Sequence, residues 1–313
     1  MQSGHRKSGI RASAFTTTIT PFRQDGSFDE AGARGHFARM AEAGIGVYIG
    51  TGGSGEGYSL TADETARLLK IARDEIGTRA PVRSMGVEPR NAQQMIDFLR
   101  LARDAGMDAS QVYCLDVGHG HAPTPRELET YFTDVLEAVR DIPLVLSTHQ
   151  SVGYKIPAQQ LTQLVERYPQ IIGINCSHQD LGYLAQIIDG PGKLVDVHVG
   201  GPMQALVCLS FGGNGFLASE GNLAPHLCKK VADAFMANDL ATCTDAFNRV
   251  VRLSTGLYGL GGIRVTKAVL NKLGLPGGYP RKPRLIATDA ELAQAMQIVR
   301  DLDIERFETW KLK

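Results

Sequence analysis

Short apolar segments alternate with longer amphipathic segments along residues 10–238. The short segments are rich in Val, Ile, Leu and Ala, as expected of strands that are buried on both faces. Eight of them are predicted strands: Ala12–Thr17, Gly46–Ile49, Val82–Met85, Ala109–Leu115, Leu144–Ser147, Ile171–Ile174, Leu194–Val199 and Gly215–Ala218. The longer segments repeat apolar residues with helical periodicity. Eight of them are predicted helices: Asp29–Ala43, Ala62–Ile76, Asn91–Ala105, Thr124–Val139, Pro157–Arg167, Leu181–Ile188, Met203–Phe211 and Ala224–Met236.

This alternation predicts a (β/α)8 barrel of the TIM type. Strands that alternate with helices pair in parallel, and eight is the number that closes such a barrel. The alternative is an open, doubly wound sheet. That alternative lacks its usual support, because no Gly-x-Gly-x-x-Gly segment follows the first strand.

Two predicted helices begin with a capping box. Thr61 with Glu64, and Thr124 with Glu127, place an acidic residue three positions after a threonine. Pro125 stands at the first helical position of the second, where its fixed φ favours the helix. These local signals fix where the helices begin.

The alternation stops after Asn238, and the rest of the chain is predicted to be helical only. The segment 273–278, Leu-Gly-Leu-Pro-Gly-Gly, interrupts these helices. We therefore expect a disordered tail over residues 1–9, a barrel over 10–238 and a C-terminal helical region over 239–313.

Composition excludes several classes of partner. The 313 residues carry 33 basic and 33 acidic side chains, so no net charge favours nucleic acid or an anionic membrane surface. The five cysteines form no Cys-x-x-Cys pair, which indicates free thiols and a cytoplasmic location. No apolar core follows the basic N-terminus, and no apolar run is long enough for a membrane span, so neither a secretory signal nor a membrane segment is expected.

Four segments carry motifs that stand in order along the chain. They are Thr18–Phe22 followed by Asp25-Gly26-Ser27, then Gly52–Leu60, then Phe211–Phe216 with Asn222 and Pro225, and last Lys267-Ala268 with Leu270 and Leu273-Gly274-Leu275. Together they resemble the TPF…DGsiD, G-[ST]-[ST]-G-E…L, Ga-x-G…aN-x-x-P and vKaaL…lG motifs of the dihydrodipicolinate synthase / N-acetylneuraminate lyase family. This family consists of pyruvate-dependent class I aldolases. The resemblance spans roughly residues 10–300. It implies the barrel fold, a small-molecule carboxylate substrate and a homotetramer or homodimer.

The glycine loop after the second strand is the family's binding site for the substrate carboxylate. By this resemblance, Ser54 and the backbone N–H groups of Gly53 and Gly55 would hold the carboxylate, and Glu56 and Thr20 would shape the pocket. Gly53 replaces a hydroxyl residue of the family motif, so the predicted pocket has one donor fewer.

The family's Schiff-base lysine has no counterpart at the matching position of this sequence. The segment Ile171–His178 resembles the family's ivGiK-[ED], and Asn175 takes the lysine position. An amide cannot form an imine with a 2-oxo acid. Ser147 takes the position of the proton-relay tyrosine, and the carboxylate-binding arginine is missing. We therefore expect Asn175 to donate a hydrogen bond to a substrate oxyanion instead. Lys155 and Lys267 are the alternative lysines for a Schiff base, but neither is at a predicted strand end.

Four histidines follow three consecutive predicted strands: His119, His121, His149 and His178. If their rings face one another, they could bind a divalent metal ion, which would polarise a carbonyl without an imine. The two rings of His119-x-His121 would point the same way on an extended segment. Without a metal, the histidines could act as acids and bases. They could also be polar surface only. Cys176 is predicted to be a buried filler rather than a nucleophile.

The sequence thus supports two hypotheses. The first is a lyase, of aldolase or dehydratase type, that acts on a small 2-oxo acid or related carboxylate without a Schiff base. Its predicted catalytic residues are Asn175, His149, His119, His121 and Ser147. The second is a non-catalytic protein that kept the fold and that binds an oxo acid or has a regulatory role. The family's interface tyrosine is absent, which leaves its particular dimer contact open.

Overall fold

Eight parallel strands form a closed barrel in chain order, as predicted. The computed structural model describes residues 6–312. Within them the strands are β1 Ser13–Thr17, β2 Gly46–Ile49, β3 Val82–Ser84, β4 Ala109–Val112, β5 Leu144–Thr148, β6 Ile171–Cys176, β7 Asp196–Gly200 and β8 Gly215–Ala218. Most strand residues are buried on both sides, which explains why the strands are continuous apolar runs.

Helices connect the strands and continue after the last one. They are α1 Glu30–Ala43, α2 Ala62–Ile76, α3 Ala92–Asp104, α4 Pro125–Ala138, α5 Ala158–Arg167, α6 Leu181–Asp189, α7 Ala205–Ser210, α8 Pro225–Met236, α9 Leu240–Gly259, α10 Ile263–Lys272 and α11 Asp289–Asp301. Both predicted capping boxes are present, since Thr61 and Thr124 each accept from the amide three residues on. Among the described residues, no helix is both long and apolar enough to cross a membrane.

Two predicted strand ends differ from the structure in ways that matter for the site. The fourth strand ends at Val112 rather than Leu115, so Tyr113 and Cys114 belong to the following loop. The sixth strand extends to Cys176, so Asn175 is a strand residue with a fixed register. Its register neighbours are Ser147 on β5 and His198 on β7.

The chain forms two compact units, and both combine parts that are distant in sequence. The first contains residues 1–12 and 83–216, and the second contains residues 13–82 and 217–313. The predicted boundary at residue 239 falls inside the second unit, where α9 packs on α8 and α11 packs on α10.

Arg6, in the described part of the N-terminal tail, makes several hydrogen bonds to backbone carbonyls. Residues 1–5 lie outside the described residues. The Arg6 guanidinium donates to the carbonyls of Val165, Tyr168 and Ile171, with distances of 2.8 Å and 2.9 Å to the last two. These carbonyls lie at the end of α5 and the start of β6, where orphan acceptors attract a cation. Arg6 is thus held by these hydrogen bonds, while the disordered tail over residues 1–9 stays a prediction.

Candidate active site

Asn175 lies on the inner part of the first unit, near the carboxyl end of β6. Its side chain is 5% exposed, and Ser147 beside it is 1% exposed. The Asn175 amide Nδ2 donates to Gln111 Oε1 at 2.7 Å, and Gln111 is buried as well. One of the two Nδ2 hydrogens that could meet a substrate oxyanion is therefore already used within the protein.

A carboxylate and an imidazole form a pair after β3 and β5. Glu88 Oε1 lies 3.2 Å from His149 Nδ1. Ser151 Oγ lies 2.5 Å from both atoms, so the three side chains form a closed triangle. The side chains of Glu88 and His149 are 22% and 34% exposed, so the pair is partly accessible to solvent.

The hydrogen bonds within the pair shift the pKa of Glu88. Burial alone would raise the pKa of Glu88, but hydrogen bonds from His149 and Ser151 outweigh it and lower this pKa to about 2. Glu88 is therefore a carboxylate at all physiological pH values, and it orients the imidazole through Nδ1. Nε2 of the His149 ring is the atom left to exchange a proton with a ligand.

Tyr113 and Cys114 hold His149 from the side of β4. The Tyr113 ring contacts the His149 ring edge-on, with centroids 5.7 Å apart, and the His149 amide donates to Cys114 Sγ at 3.3 Å. Burial raises the pKa of Tyr113 well above its ordinary value, so this phenol stays protonated. Gln111 also forms a side-chain hydrogen bond with Tyr113, which links the Asn175 amide to the ring beside His149.

His178 lies in the same unit but makes different contacts. Its ring meets Tyr183 edge-on at 5.4 Å between centroids, and Nε2 is buried without a hydrogen-bond partner among the described residues. Burial lowers its pKa, and the nearby charge of Lys155 adds to this shift. Lys155 itself is paired with Asp180, with 2.5 Å between Nζ and Oδ2.

The four predicted metal-binding histidines do not form one group. His119 and His121 are exposed. His119 has a φ of 52°, and the His121 amide donates to the Gly118 carbonyl in a turn. The argument that an extended His-x-His segment points both rings one way is therefore wrong. In the part of the chain that is described, no three His, Cys, Asp or Glu side chains come together as metal ligands.

The second unit contains a buried ion pair after β2. Glu56 Oε1 lies 2.5 Å from Lys267 Nζ, and both side chains are 0% exposed. Lys267 also donates to the carbonyls of Thr20 and Tyr279, at 2.8 Å and 2.9 Å. The second Glu56 oxygen accepts from the Arg281 amide at 3.0 Å.

These contacts correct two predicted binding residues. Glu56 does not shape a carboxylate pocket, because both its oxygens are used within the protein and its side chain is 0% exposed. Thr20 is 0% exposed, and its hydroxyl has no partner among the described residues. Burial lowers the pKa of Lys267 to about 8, against the opposing charge of Glu56. Three acceptors and complete burial nevertheless keep this amine from acting as a nucleophile.

The glycine loop after β2 is held by hydrogen bonds of its own and leaves one glycine open. Gly53 is exposed, and a Cβ added there would meet nothing within 4 Å. Gly55 donates its amide to Thr51 Oγ1 at 2.8 Å, and Ser54 Oγ lies 3.2 Å from Thr17 Oγ1. The loop is therefore tied to β1 and β2, while Gly53 stays open.

Cys176 is a buried filler by its environment. It is 0% exposed, and burial raises the pKa of its thiol to about 11. The thiolate that a nucleophile requires is therefore suppressed. All five cysteines are free and buried.

Three important residues escaped the sequence reasoning: Glu88, Gln111 and Tyr113. Glu88 follows β3 by four residues, so a search for carboxylates after every strand end would have included it. Gln111 and Tyr113 carry no motif. Only the folded structure shows that Gln111 contacts Asn175 and that Tyr113 contacts His149.

The fold and this site define a (β/α)8-barrel protein with polar side chains at the carboxyl ends of its strands. The sequence profile of the Dihydrodipicolinate synthetase family matches residues 11–302. The chain belongs to that family.

Two enzymes from other organisms are similar to this chain in sequence. A 4-hydroxy-tetrahydrodipicolinate synthase from Mycolicibacterium paratuberculosis is 26% identical over 284 residues, which covers 88% of this chain and 90% of the relative. Another, from Nitratidesulfovibrio vulgaris, is 29% identical over 229 residues, with coverages of 73% and 77%. The crystal structure of a dihydrodipicolinate synthase from Cyanidioschyzon merolae with lysine bound matches at a TM-score of 0.85. It is 21% identical and covers 96% of this chain and 100% of that one, so it supports the fold.

Proposed function

We propose that this protein is a lyase that acts on a small 2-oxo acid or related carboxylate by acid–base chemistry, without a lysine Schiff base. The observation that carries the proposal is the 3.2 Å contact between Glu88 Oε1 and His149 Nδ1. A carboxylate that orients an imidazole through one nitrogen prepares the other for proton transfer. Membership of the Dihydrodipicolinate synthetase family supports the reaction class.

The chemistry follows from the free nitrogen of His149. In a carbon–carbon cleavage, Nε2 would take the proton of a substrate hydroxyl as the adjacent bond breaks. The electron pair would pass to the 2-oxo group, and the resulting enolate would be protonated to give the product. In a dehydration, the same nitrogen would take the α-proton and return it to the leaving hydroxyl, which departs as water. Neither route uses an imine, which agrees with an amide at position 175.

The proposal selects one of the two roles that the sequence left open for the histidines. His149 is held by Glu88, whereas His119 and His121 lie in an exposed turn and the four rings form no group of ligands. We therefore assign the proton transfer to His149. Two further roles stay separate proposals, supported by the family motifs. Ser147 would be a catalytic neighbour, and Gly53, Ser54 and Gly55 would form a carboxylate-binding loop.

Borohydride trapping tests the absence of an imine. The protein is incubated with pyruvate, reduced with borohydride and weighed intact by mass spectrometry. We expect no added mass for the native protein. A pyruvate-derived adduct would refute our interpretation of Asn175. The Asn175→Lys variant provides the matched comparison, because it restores an amine at that position.

Exchange of the pyruvate methyl protons in D2O, followed by NMR, tests the acid–base role. We expect native exchange to fall about 10²- to 10⁴-fold in His149→Asn, the usual range for a general base. Glu88→Gln should lower it less, because the ring remains. His226→Asn is the control, since His226 Nδ1 lies 3.0 Å from Glu308 Oε2 in the other unit. Equal rates of proton exchange in all three variants would refute the proposal. Binding without any native exchange would favour a non-catalytic oxo-acid-binding protein.

The assembly state is a further part of this proposal. The family resemblance leads us to expect a homotetramer or homodimer in the cytoplasm. Light scattering of the purified protein measures the mass directly, and a monomer would contradict the expectation.

A further inference from the structure

Gln111 holds the side chains of Asn175 and Tyr113 close together inside the first unit. Its Oε1 accepts from Asn175 Nδ2 at 2.7 Å, and its side chain also forms a hydrogen bond with Tyr113. Gln111 lies on β4 and Asn175 on β6, and side chains from alternate strands meet in layers inside a barrel of this type. One primary amide therefore binds both groups.

The polarity of these hydrogen bonds leaves two hydrogens for a ligand. Burial raises the pKa of Tyr113, and the hydrogen bond with Gln111 opposes this rise, which is the effect of a donor on a phenol oxygen. A phenol oxygen that accepts a hydrogen bond keeps its own O–H group. Asn175 Nδ2 likewise keeps its second N–H. Among the described residues, no acceptor binds either of these two hydrogens.

Both groups lie almost out of the reach of water. Asn175 is 5% exposed and Tyr113 is 3% exposed. Asn175 Oδ1 is buried without a hydrogen-bond partner in the described chain, and native proteins contain few such atoms. This atom indicates that a ligand or a water molecule completes the hydrogen bonds of the amide. Donors that are fixed in a site with little water stabilise a developing charge far more than donors in water do.

The proposed base lies beside these donors. The Tyr113 ring contacts the His149 ring edge-on, with centroids 5.7 Å apart. The register neighbours of Asn175 are Ser147 and His198, and burial lowers the pKa of His198 to about 3, so both neighbours are neutral. Negative charge that develops on a ligand beside Asn175 is therefore stabilised by hydrogen bonds rather than by a charge on these neighbours.

We infer that Tyr113 is a further catalytic residue of the proposed reaction: its hydroxyl, together with the second N–H of Asn175, donates to the 2-oxo oxygen of the substrate. This inference rests on the proposed function, because it supplies the stabilisation that an imine would otherwise give. As His149 Nε2 takes the hydroxyl proton and the carbon–carbon bond breaks, the electron pair moves onto the 2-oxo oxygen. The two donors then hold an enolate oxygen. The proton on His149 passes to the enolate carbon, and Tyr113 keeps its own hydrogen throughout.

Oxalate measures this pair of donors without turnover, because one of its carboxylate oxygens takes the place and the charge of the enolate oxygen of pyruvate. Binding of oxalate and of pyruvate to the native protein is compared by calorimetry in the presence of a chelator. We expect oxalate to bind about 10²-fold more tightly or better, as analogues of a charged intermediate do. Equal affinities, tighter binding of pyruvate, or no binding of oxalate would overturn the inference.

Tyr113→Phe removes only the hydroxyl and keeps the ring against His149. Loss of one donor to an oxyanion lowers a rate by about 10²- to 10³-fold, and we expect this loss in the exchange of pyruvate protons in D2O. The affinity for oxalate should fall by about tenfold or more while that for pyruvate changes little, because the ketone oxygen carries no full charge. Tyr131→Phe is the matched control. Its phenol donates to the Tyr113 carbonyl at 2.7 Å, so exchange and both affinities should stay near the native values.

Two outcomes of these variants would overturn the inference. One is native exchange in Tyr113→Phe. The other is an equal loss of affinity for oxalate and pyruvate, because a purely structural role weakens both ligands together. Gln111→Met tests the positioning of the two donors. It keeps both donors but no longer binds them, so the preference for oxalate should fall in this variant as well.

A crystal structure of the native protein with oxalate gives a readout that depends on no variant. We expect one oxalate oxygen within about 3 Å of both Tyr113 Oη and Asn175 Nδ2. Oxalate bound without a contact to Tyr113 would overturn the inference. The two proposals fail separately. If exchange depends on His149 but not on Tyr113, only this inference is wrong. If the native protein exchanges no protons but loses its preference for oxalate in Tyr113→Phe, the proposed function is wrong and the two donors remain an oxyanion site.

Discussion

Substitution of Lys267 by Met should strongly destabilise the protein. Lys267 Nζ donates to Glu56 Oε1 and to the carbonyls of Thr20 and Tyr279, and neither partner of the ion pair is exposed. Methionine fills a similar volume but leaves these three acceptors without a donor. One of them is a buried carboxylate whose charge is then unpaired.

The expected magnitude follows from this loss of one charge. Breaking a buried ion pair by removing one partner costs about 3–5 kcal/mol. The double variant Glu56→Gln/Lys267→Met should recover part of this loss, because no buried charge is left unpaired. Lys70→Met is the matched control. Lys70 pairs with Asp74 at 2.6 Å but its side chain is 63% exposed, so less than about 1 kcal/mol is expected.

Urea unfolding provides the measurement. Trp310, the one tryptophan of the chain, is 7% exposed and reports on the second unit by fluorescence, and circular dichroism follows the barrel as a whole. Coincident transitions would justify a two-state free energy. A loss below about 1 kcal/mol for Lys267→Met would refute the reasoning, as would a double variant less stable than the single one.

Three further predictions test other parts of the structure. Gly57→Ala should lower stability by about 1–3 kcal/mol, because the added Cβ would lie 2.3 Å from the Gly50 carbonyl oxygen, whereas Gly53→Ala should be nearly neutral in urea unfolding. Thr124→Ala removes the side chain that caps α4 and should cost about 1 kcal/mol, with Thr130→Ala in the same helix as the control for thermal unfolding. The Glu88→Gln substitution should destabilise the protein near neutral pH, and this effect should disappear in acid. The folded pKa of Glu88 is about 2 against an ordinary 4.5, so its contribution is complete above about 4.5 and is lost as the pH falls towards 2. A difference between native and variant that stays constant over this range would contradict the assigned pKa.

The barrel could be predicted because its signals are local. Each strand is a short apolar run, and α2 and α4 begin at capping boxes that occupy four consecutive residues. Gly46–Ile49 and Gly215–Ala218 were predicted with their observed bounds. Strand ends without a local marker were less certain. The fourth strand continues as an apolar run to Leu115, although it leaves the sheet at Val112.

The site could be predicted only in part, because its key contacts join residues far apart in sequence. Glu56 and Lys267 are separated by 211 positions, and Glu88 reaches a histidine on another strand end. The glycine motif indicates that Glu56 lies in a loop after β2. It does not indicate that a lysine from α10 neutralises it. A carboxylate in a binding loop and a carboxylate in a buried ion pair look the same in sequence.

Asn175 shows the same limit at the level of single atoms. The sequence identifies an amide where the family has a lysine, and an amide can either donate or accept. Which of the two it offers a ligand depends on the atom that the protein has already used. Gln111 takes one of the two Nδ2 hydrogens, and Oδ1 is buried without a hydrogen-bond partner among the described residues, so the side chain keeps one donor and one acceptor for a ligand. The hydrogen bonds that Asn175 can offer a ligand are therefore limited by Gln111, a residue that contacts Asn175 from β4 and belongs to no motif, so no pattern in the sequence indicates it.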